Sequence, residues 1–131
     1  MTTTNNRTPK LRVLVVEDNR DAAGSTATLL RHWGHDVRVA LDGPTALREA
    51  SEDAPDVVLL DLGLPGMDGY EVARRLREML HEKKTLFVVV SGYGMDRDVL
   101  RSSDEGIDLH FVKPVDPAEL RAVLEKFAQA R

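Results

Sequence analysis

Asp56-Val57-Val58-Leu59-Leu60-Asp61-Leu62-Gly63 is the stretch that decides the fold. Its run of four apolar residues, two of them β-branched, leaves no polar face. That is the pattern of a strand buried on both sides, as in a parallel sheet with helices above and below it. Asp61 follows at once and is expected at the carboxyl end of this strand, where open α/β sheets place their chemistry.

The same unit recurs outward along the chain. LRVLVV (11–16) runs into Glu17 and Asp18, LFVVV (86–90) into Ser91-Gly92, and 107–112 into Lys113-Pro114, while 36–40 supplies one more strand. Helical periods separate them. A helix over 19–33 carries apolar positions at Ala22, Thr26, Leu29, Leu30 and Trp33 and is stopped by Gly34. Asp42-Gly43-Pro44 opens a second helix, with proline in the first turn where its missing N–H costs nothing and with Leu47 and Ala50 inward. Asp68 and Glu71 form an N-cap pair for a third, with Val72, Leu76, Met79 and Leu80 on its apolar side. We read the Met67-Asp68-Gly69 loop as capping and turn geometry. The segment 95–103 is a weak helix anchored by Val99 and Leu100. Asp116-Pro117 with Glu119 opens a final helix striped by Leu120, Val123, Leu124 and Phe127. Five βα units predict an α/β domain over residues 11–131 behind a disordered tail over 1–10.

Bulk properties narrow the function. The 131 residues suit one compact domain, with 42% hydrophobic and 31% charged residues. No apolar run approaches the ~18–20 residues of a membrane span, and the N-terminus lacks the apolar core of a signal peptide, so the expected location is cytoplasmic, off the membrane. Zero cysteines exclude disulfides, thiolate metal sites and thiol nucleophiles. A net charge of −4 argues against direct nucleic-acid binding.

Taken singly, an Asp at a strand end is usually a cap or turn residue, Ser-Gly is usually turn chemistry, and a lysine is usually a solvated surface charge. Gathered at one sheet edge, they have a different meaning. Glu17, Asp18 and Asp61 repel one another unless a cation sits among them, and oxygen donors suit a hard divalent ion. Ser91 and Lys113 beside such an ion suit a phosphoryl group.

VVED (15–18), LLDLGLPGMDGYE (59–71), VVSGY (89–93) and FVKP (111–114) together resemble the receiver domain of two-component response regulators, over nearly the whole chain after residue 10. The resemblance implies a flavodoxin-like, doubly wound (βα)5 fold with a five-stranded parallel sheet in the order 2-1-3-4-5. It implies Asp61 as phosphoryl acceptor. It further implies Mg²⁺, with Mn²⁺ as the alternative, on Asp18, Asp61 and the Gly63 carbonyl, with Glu17 acting through a water. Ser91 and Lys113 would each hold a phosphoryl oxygen, and Lys113-Pro114 would be a cis peptide. The implied activities are Mg²⁺-dependent autophosphorylation and autodephosphorylation, with the phosphoryl group supplied by a histidine kinase or histidine phosphotransfer protein and a downstream protein as target. The sequence departs from the usual pattern at His110, where such receivers commonly carry Tyr or Phe, and we take Ser91 and His110 as the switch pair. Gly63 and Tyr93 flank the expected path of a hydrolytic water.

The similarity extends to receivers fused behind hybrid sensor kinases, while the Met1 start and short tail suit a stand-alone regulator. A flavin-binding domain shares the architecture, but no loop is rich enough in Ser, Thr and Gly to cradle a flavin phosphate. A phosphorylation-independent interaction module is the stronger rival, although every part of the acidic site is present.

Overall fold

The computed structural model describes residues 9–63, 69–92 and 107–131. Along these the elements run β1 (Arg12–Val16), α1 (Arg20–His32), β2 (Asp36–Ala40), α2 (Gly43–Glu52), β3 (Val57–Asp61), α3 (Gly69–Met79), β4 (Leu86–Ser91), β5 (Leu109–Val112) and α4 (Pro117–Ala130). All five strands are parallel, in the order β2-β1-β3-β4-β5, so the doubly wound sheet implied by the resemblance is the one observed. The weak helix over 95–103, Tyr93, and Met67-Asp68 lie outside the described residues, as does most of the 1–10 tail.

The two-residue period of a strand builds two cores from one sheet. Val13 and Val15 of β1, Val57 and Leu59 of β3, and Val88 and Val90 of β4 share one face, which packs against α1 and α4 through Ala27, Leu30, Leu120 and Leu124. Leu14, Val16, Val58 and Leu60 point the other way, toward Ala46, Ala50, Val72 and Leu76 of α2 and α3. Every residue of β3 is buried, as its unbroken apolar run requires.

Helix ends follow their capping residues. The Ala22 N–H donates to Asn19 Oδ1 at 3.0 Å, Thr45 N–H to Asp42 Oδ1 at 2.8 Å and Ala118 N–H to Asp116 Oδ1 at 2.9 Å. Each such cap stabilises its helix by about 1 kcal/mol. At the far end of α1, Gly34 adopts φ 98°, and the N–H groups of Gly34 and His35 donate to the carbonyls of Arg31 and Leu30 at 2.9 and 3.2 Å. This left-handed turn releases the chain into β2. Gly69 is required for a different reason: a Cβ there would lie 2.8 Å from Leu62 Cα, so α3 starts hard against the end of β3.

Two helix faces differ from expectation. On α1 the buried residues are Ala23, Ala27 and Leu30, whereas Ala22, Thr26, Leu29 and Trp33 are only partly covered. The helix lies close to the sheet on its alanines, and larger side chains flank the contact. On α3, Met79 is 42% exposed and Ala73 takes the inward position. Glu71 pairs with Arg74 at 2.7 Å on the helix surface, while its expected capping partner Asp68 lies outside the described residues.

Candidate functional site

Register gathers the acids. Val13 pairs with Val57 and Val16 with Leu60, so the next step of the β1–β3 ladder sets Glu17 beside Asp61. The two side chains share parity with Val15 and Leu59, and therefore lie on the face covered by α1 and α4. One carboxylate oxygen from each of Glu17, Asp18 and Asp61 falls within a 4.8 Å cluster. On the other side of β3, Asp61 pairs with Val90 and Ser91 with Val112, and the Lys113 N–H donates to the Ser91 carbonyl at 2.9 Å. That ladder brings Ser91 and Lys113 to the same edge.

Asp61 is 8% exposed and Ser91 2% exposed. Lys113 Nζ lies 2.8 Å from Asp61 Oδ2 and 3.5 Å from Glu17 Oε1, while the Gly63 N–H donates to Asp61 Oδ1 at 2.8 Å. The Asn19 N–H donates to Glu17 Oε2 at 3.1 Å. The Lys113-Pro114 peptide is cis.

The two buried acids respond in opposite directions. Burial raises the Glu17 carboxyl above its ordinary value and the adjacent Asp61 charge adds to this, against the smaller pull of the Asn19 N–H and Lys113. Burial acts upward on Asp61 as well, but the Lys113 hydrogen bond and the Gly63 N–H outweigh it and hold that carboxyl low. Lys113 is raised in turn, chiefly by its hydrogen bond to Asp61. One ammonium thus serves two buried carboxylates, with Asp18 exposed beside them, and negative charge is left in excess. Three hard oxygen donors with that surplus fit a divalent cation such as Mg²⁺.

Of the residues singled out from sequence, Glu17, Asp18, Asp61, Gly63, Ser91 and Lys113 collect at this edge. His110 is exposed on β5, paired with Val89, and Tyr93 falls outside the described residues. Gly63 has no left-handed φ, so its backbone conformation is open to other residues; its visible contribution is the N–H to Asp61. Sequence reasoning missed Asn19, which orients Glu17 while capping α1; its signal was its place directly after the acid pair. It also missed a cavity of about 270 Å³ beside Asp61, between α1 and the start of α4.

Comparison with known proteins agrees with this geometry. Residues 13–125 match the family described as "Response regulator receiver domain". The transcriptional regulatory protein PrrA of Mycobacterium bovis is 37% identical over 120 residues, covering 92% of this chain and 51% of that protein. The sensory transduction protein RegX3 of Mycolicibacterium smegmatis is 38% identical over 120 residues, covering 88% and 51%. The chain thus spans about half the length of these curated relatives. A CheY-like response regulator receiver domain from Methylobacillus flagellatus superposes with a TM-score of 0.81 at 32% identity, covering 91% of this chain and 99% of that one. The sheet order, the strand-end acids with their lysine, and the match over residues 13–125 place the chain in the receiver-domain family of two-component response regulators.

Proposed function

We propose that this receiver takes a phosphoryl group onto Asp61 and thereby switches a protein-binding surface. The observation that supports it most is the charge balance at the sheet edge: a buried, ionised aspartate held by Lys113 and Gly63, next to two further acids and a buried Ser91. In the transfer, an Asp61 carboxylate oxygen bonds to phosphorus as the bond from phosphorus to the donor's imidazole nitrogen breaks, and the released imidazole retains that electron pair. Lys113 shifts from the carboxylate toward a phosphoryl oxygen, and the Ser91 hydroxyl donates to another. Glu17, Asp18, Asp61 and the Gly63 carbonyl would hold Mg²⁺ or Mn²⁺, which offsets charge on the carboxylate and the phosphoryl oxygens. Autophosphorylation from small donors and autodephosphorylation belong to the same reading.

The donor is a histidine kinase or histidine phosphotransfer protein, and the target is a protein rather than nucleic acid, since the net charge is −4. A cytoplasmic setting fits a chain in which no described helix is long and apolar enough to cross a membrane. Ser91 at the end of β4 and His110 within the adjacent β5, paired with Val89, form the switch pair.

Beryllofluoride with Mg²⁺ tests this through ¹⁹F NMR. A protein-bound fluoride signal is expected in the wild type and none in Asp61→Asn; absence in the wild type, or persistence in the variant, rejects the acceptor. The chemical-shift changes that beryllofluoride produces along β5 should shrink at least threefold in His110→Ala. Unchanged shifts would remove His110 from the switch.

A further inference from the structure

Beside the acid cluster lies a cavity of about 270 Å³ whose rim is shared with the phosphoryl-transfer site but whose apolar depth takes no part in that transfer. Its walls are apolar: Val15, Leu59 and Val90 from the sheet, Val115 from the segment before α4, and Leu120 from the first turn of α4. Ala22 and Thr26 of α1 complete it, both only partly covered because the helix contacts the sheet through Ala23 and Ala27. Its polar rim consists of Glu17, Asp61 and Lys113.

From this we infer a ligand site for a small organic cation, an ammonium head on an arylalkyl body. Volume sets the body: a closed apolar cavity of about 150 Å³ takes one benzene ring, so this space takes a ring with a two-carbon arm. Charge sets the head. The rim holds two carboxylates against one ammonium, and that ammonium sits on Asp61 at 2.8 Å but reaches Glu17 Oε1 only at 3.5 Å. Glu17 Oε1 is therefore the rim oxygen that Lys113 holds more loosely, and the walls behind it are apolar. An anionic head meets repulsion there, and a neutral molecule fills the walls while leaving Glu17 as it was. Because the head takes an oxygen of the divalent-ion cluster, ligand and metal exclude one another. Occupancy is a property of the cavity and holds whether or not Asp61 is ever phosphorylated.

Titration of the full 131-residue chain, followed by ¹⁵N and methyl NMR at fixed ionic strength, tests this with 2-phenylethylamine as the probe. Saturable shifts at Ala22, Val115 and Leu120 are expected. 2-Phenylethanol, phenylacetate and methylammonium should each bind at least tenfold more weakly, and saturating Mg²⁺ should raise the apparent Kd of the amine at least fivefold. Ala22→Phe, which fills the cavity, should abolish the shifts. Thr26→Phe replaces it if circular dichroism shows that Ala22→Phe fails to fold. Absence of saturable shifts overturns the site. Equal binding of the alcohol reduces it to an apolar void, and equal binding of methylammonium to a surface acid cluster; both contradict the inference. So do indifference to Mg²⁺ and unchanged binding in a folded cavity-filled variant. Failure of beryllofluoride to bind, with these shifts intact, would reject the acceptor reading alone.

Discussion

Asp56 and Asp61 stand at opposite ends of the same apolar run in β3, and both are buried, at 4% and 8% exposure. At the amino end, Asp56 Oδ2 accepts the Arg12 N–H at 2.8 Å, and Oδ1 receives Lys83 Nζ at 3.0 Å and Arg131 Nη2 at 2.9 Å. One carboxylate meets two cations and a backbone donor. At the carboxyl end the ratio is reversed, with Lys113 shared between Asp61 and Glu17 and with Asp18 alongside. Both aspartates are held below the ordinary value near 3.8 despite the upward pull of burial. A depressed aspartate therefore does not separate structural from functional. What separates them is the uncompensated neighbour, Glu17, which exists only at the carboxyl end and is raised. The amino end ties β1, the segment before β4 and the end of α4 together; the carboxyl end leaves negative charge in excess of its one lysine.

Breaking each end should have different consequences. Asp56→Ala should cost about 2–3 kcal/mol in urea unfolding, at or below the low end for a broken buried pair because Lys83 and Arg131 still reach water. Asp61→Asn gives up the ion pair with Lys113 that holds its carboxyl low but also relieves repulsion with Glu17, so the metal-free protein should lose less stability than Asp56→Ala does. Equal losses at both ends would erase the distinction. Mg²⁺ at a hundredfold its Kd should add about 2.7 kcal/mol to the wild type and to Asp56→Asn, and EDTA should remove it. Asp61→Asn should forfeit most of that gain, and a full gain there would place the ion elsewhere.

Acid sharpens the contrast further. The Asp56 contribution is complete above its ordinary value near 3.8 and is lost as pH falls through its lower folded value. Between pH 5 and pH 2, stability should therefore fall less steeply in Asp56→Asn than in the wild type. His35 supplies a separate loss at higher pH. It is 5% exposed, its Nδ1 accepts the Leu11 N–H at 3.2 Å, and burial lowers it despite the opposing Glu125 charge. Its contribution is complete above about 6.5 and declines as pH drops from there toward the folded value. Glu17 has the opposite sign: its ionised form opposes folding, so Glu17→Gln should raise metal-free stability slightly at pH 7. A loss in that variant would mean that Glu17 is fully compensated.

The carboxyl end of the sheet was legible in the sequence because a strand buried on both faces is an unbroken apolar run, so the polar residue ending it stands out. Asp61 and Ser91 were found in that way, whereas Lys113 follows a mixed, half-exposed strand and was found through the FVKP block. The amino end was not legible. Asp56 reads as an ordinary residue before a strand, and its partners Arg12, Lys83 and Arg131 are brought to it from three distant segments. Helix faces were legible only where large side chains mark them. Alanine carries little hydrophobic signal, yet Ala23, Ala27 and Ala73 were buried because close helix–sheet packing selects small side chains. The cavity follows from that packing and from no local pattern.

The central claim is that surplus negative charge at one end of β3 marks a phosphoryl acceptor, whereas the balanced end does not. Intact-mass spectrometry after incubation with Mg²⁺ and a small acyl phosphate tests it most directly, using the wild type, Asp61→Asn and Asp56→Asn. The wild type and Asp56→Asn should each gain one phosphoryl group that is lost with time or with base, and Asp61→Asn should gain none. A wild type that stays unmodified, or an Asp61→Asn protein that is modified to the same extent, would contradict it.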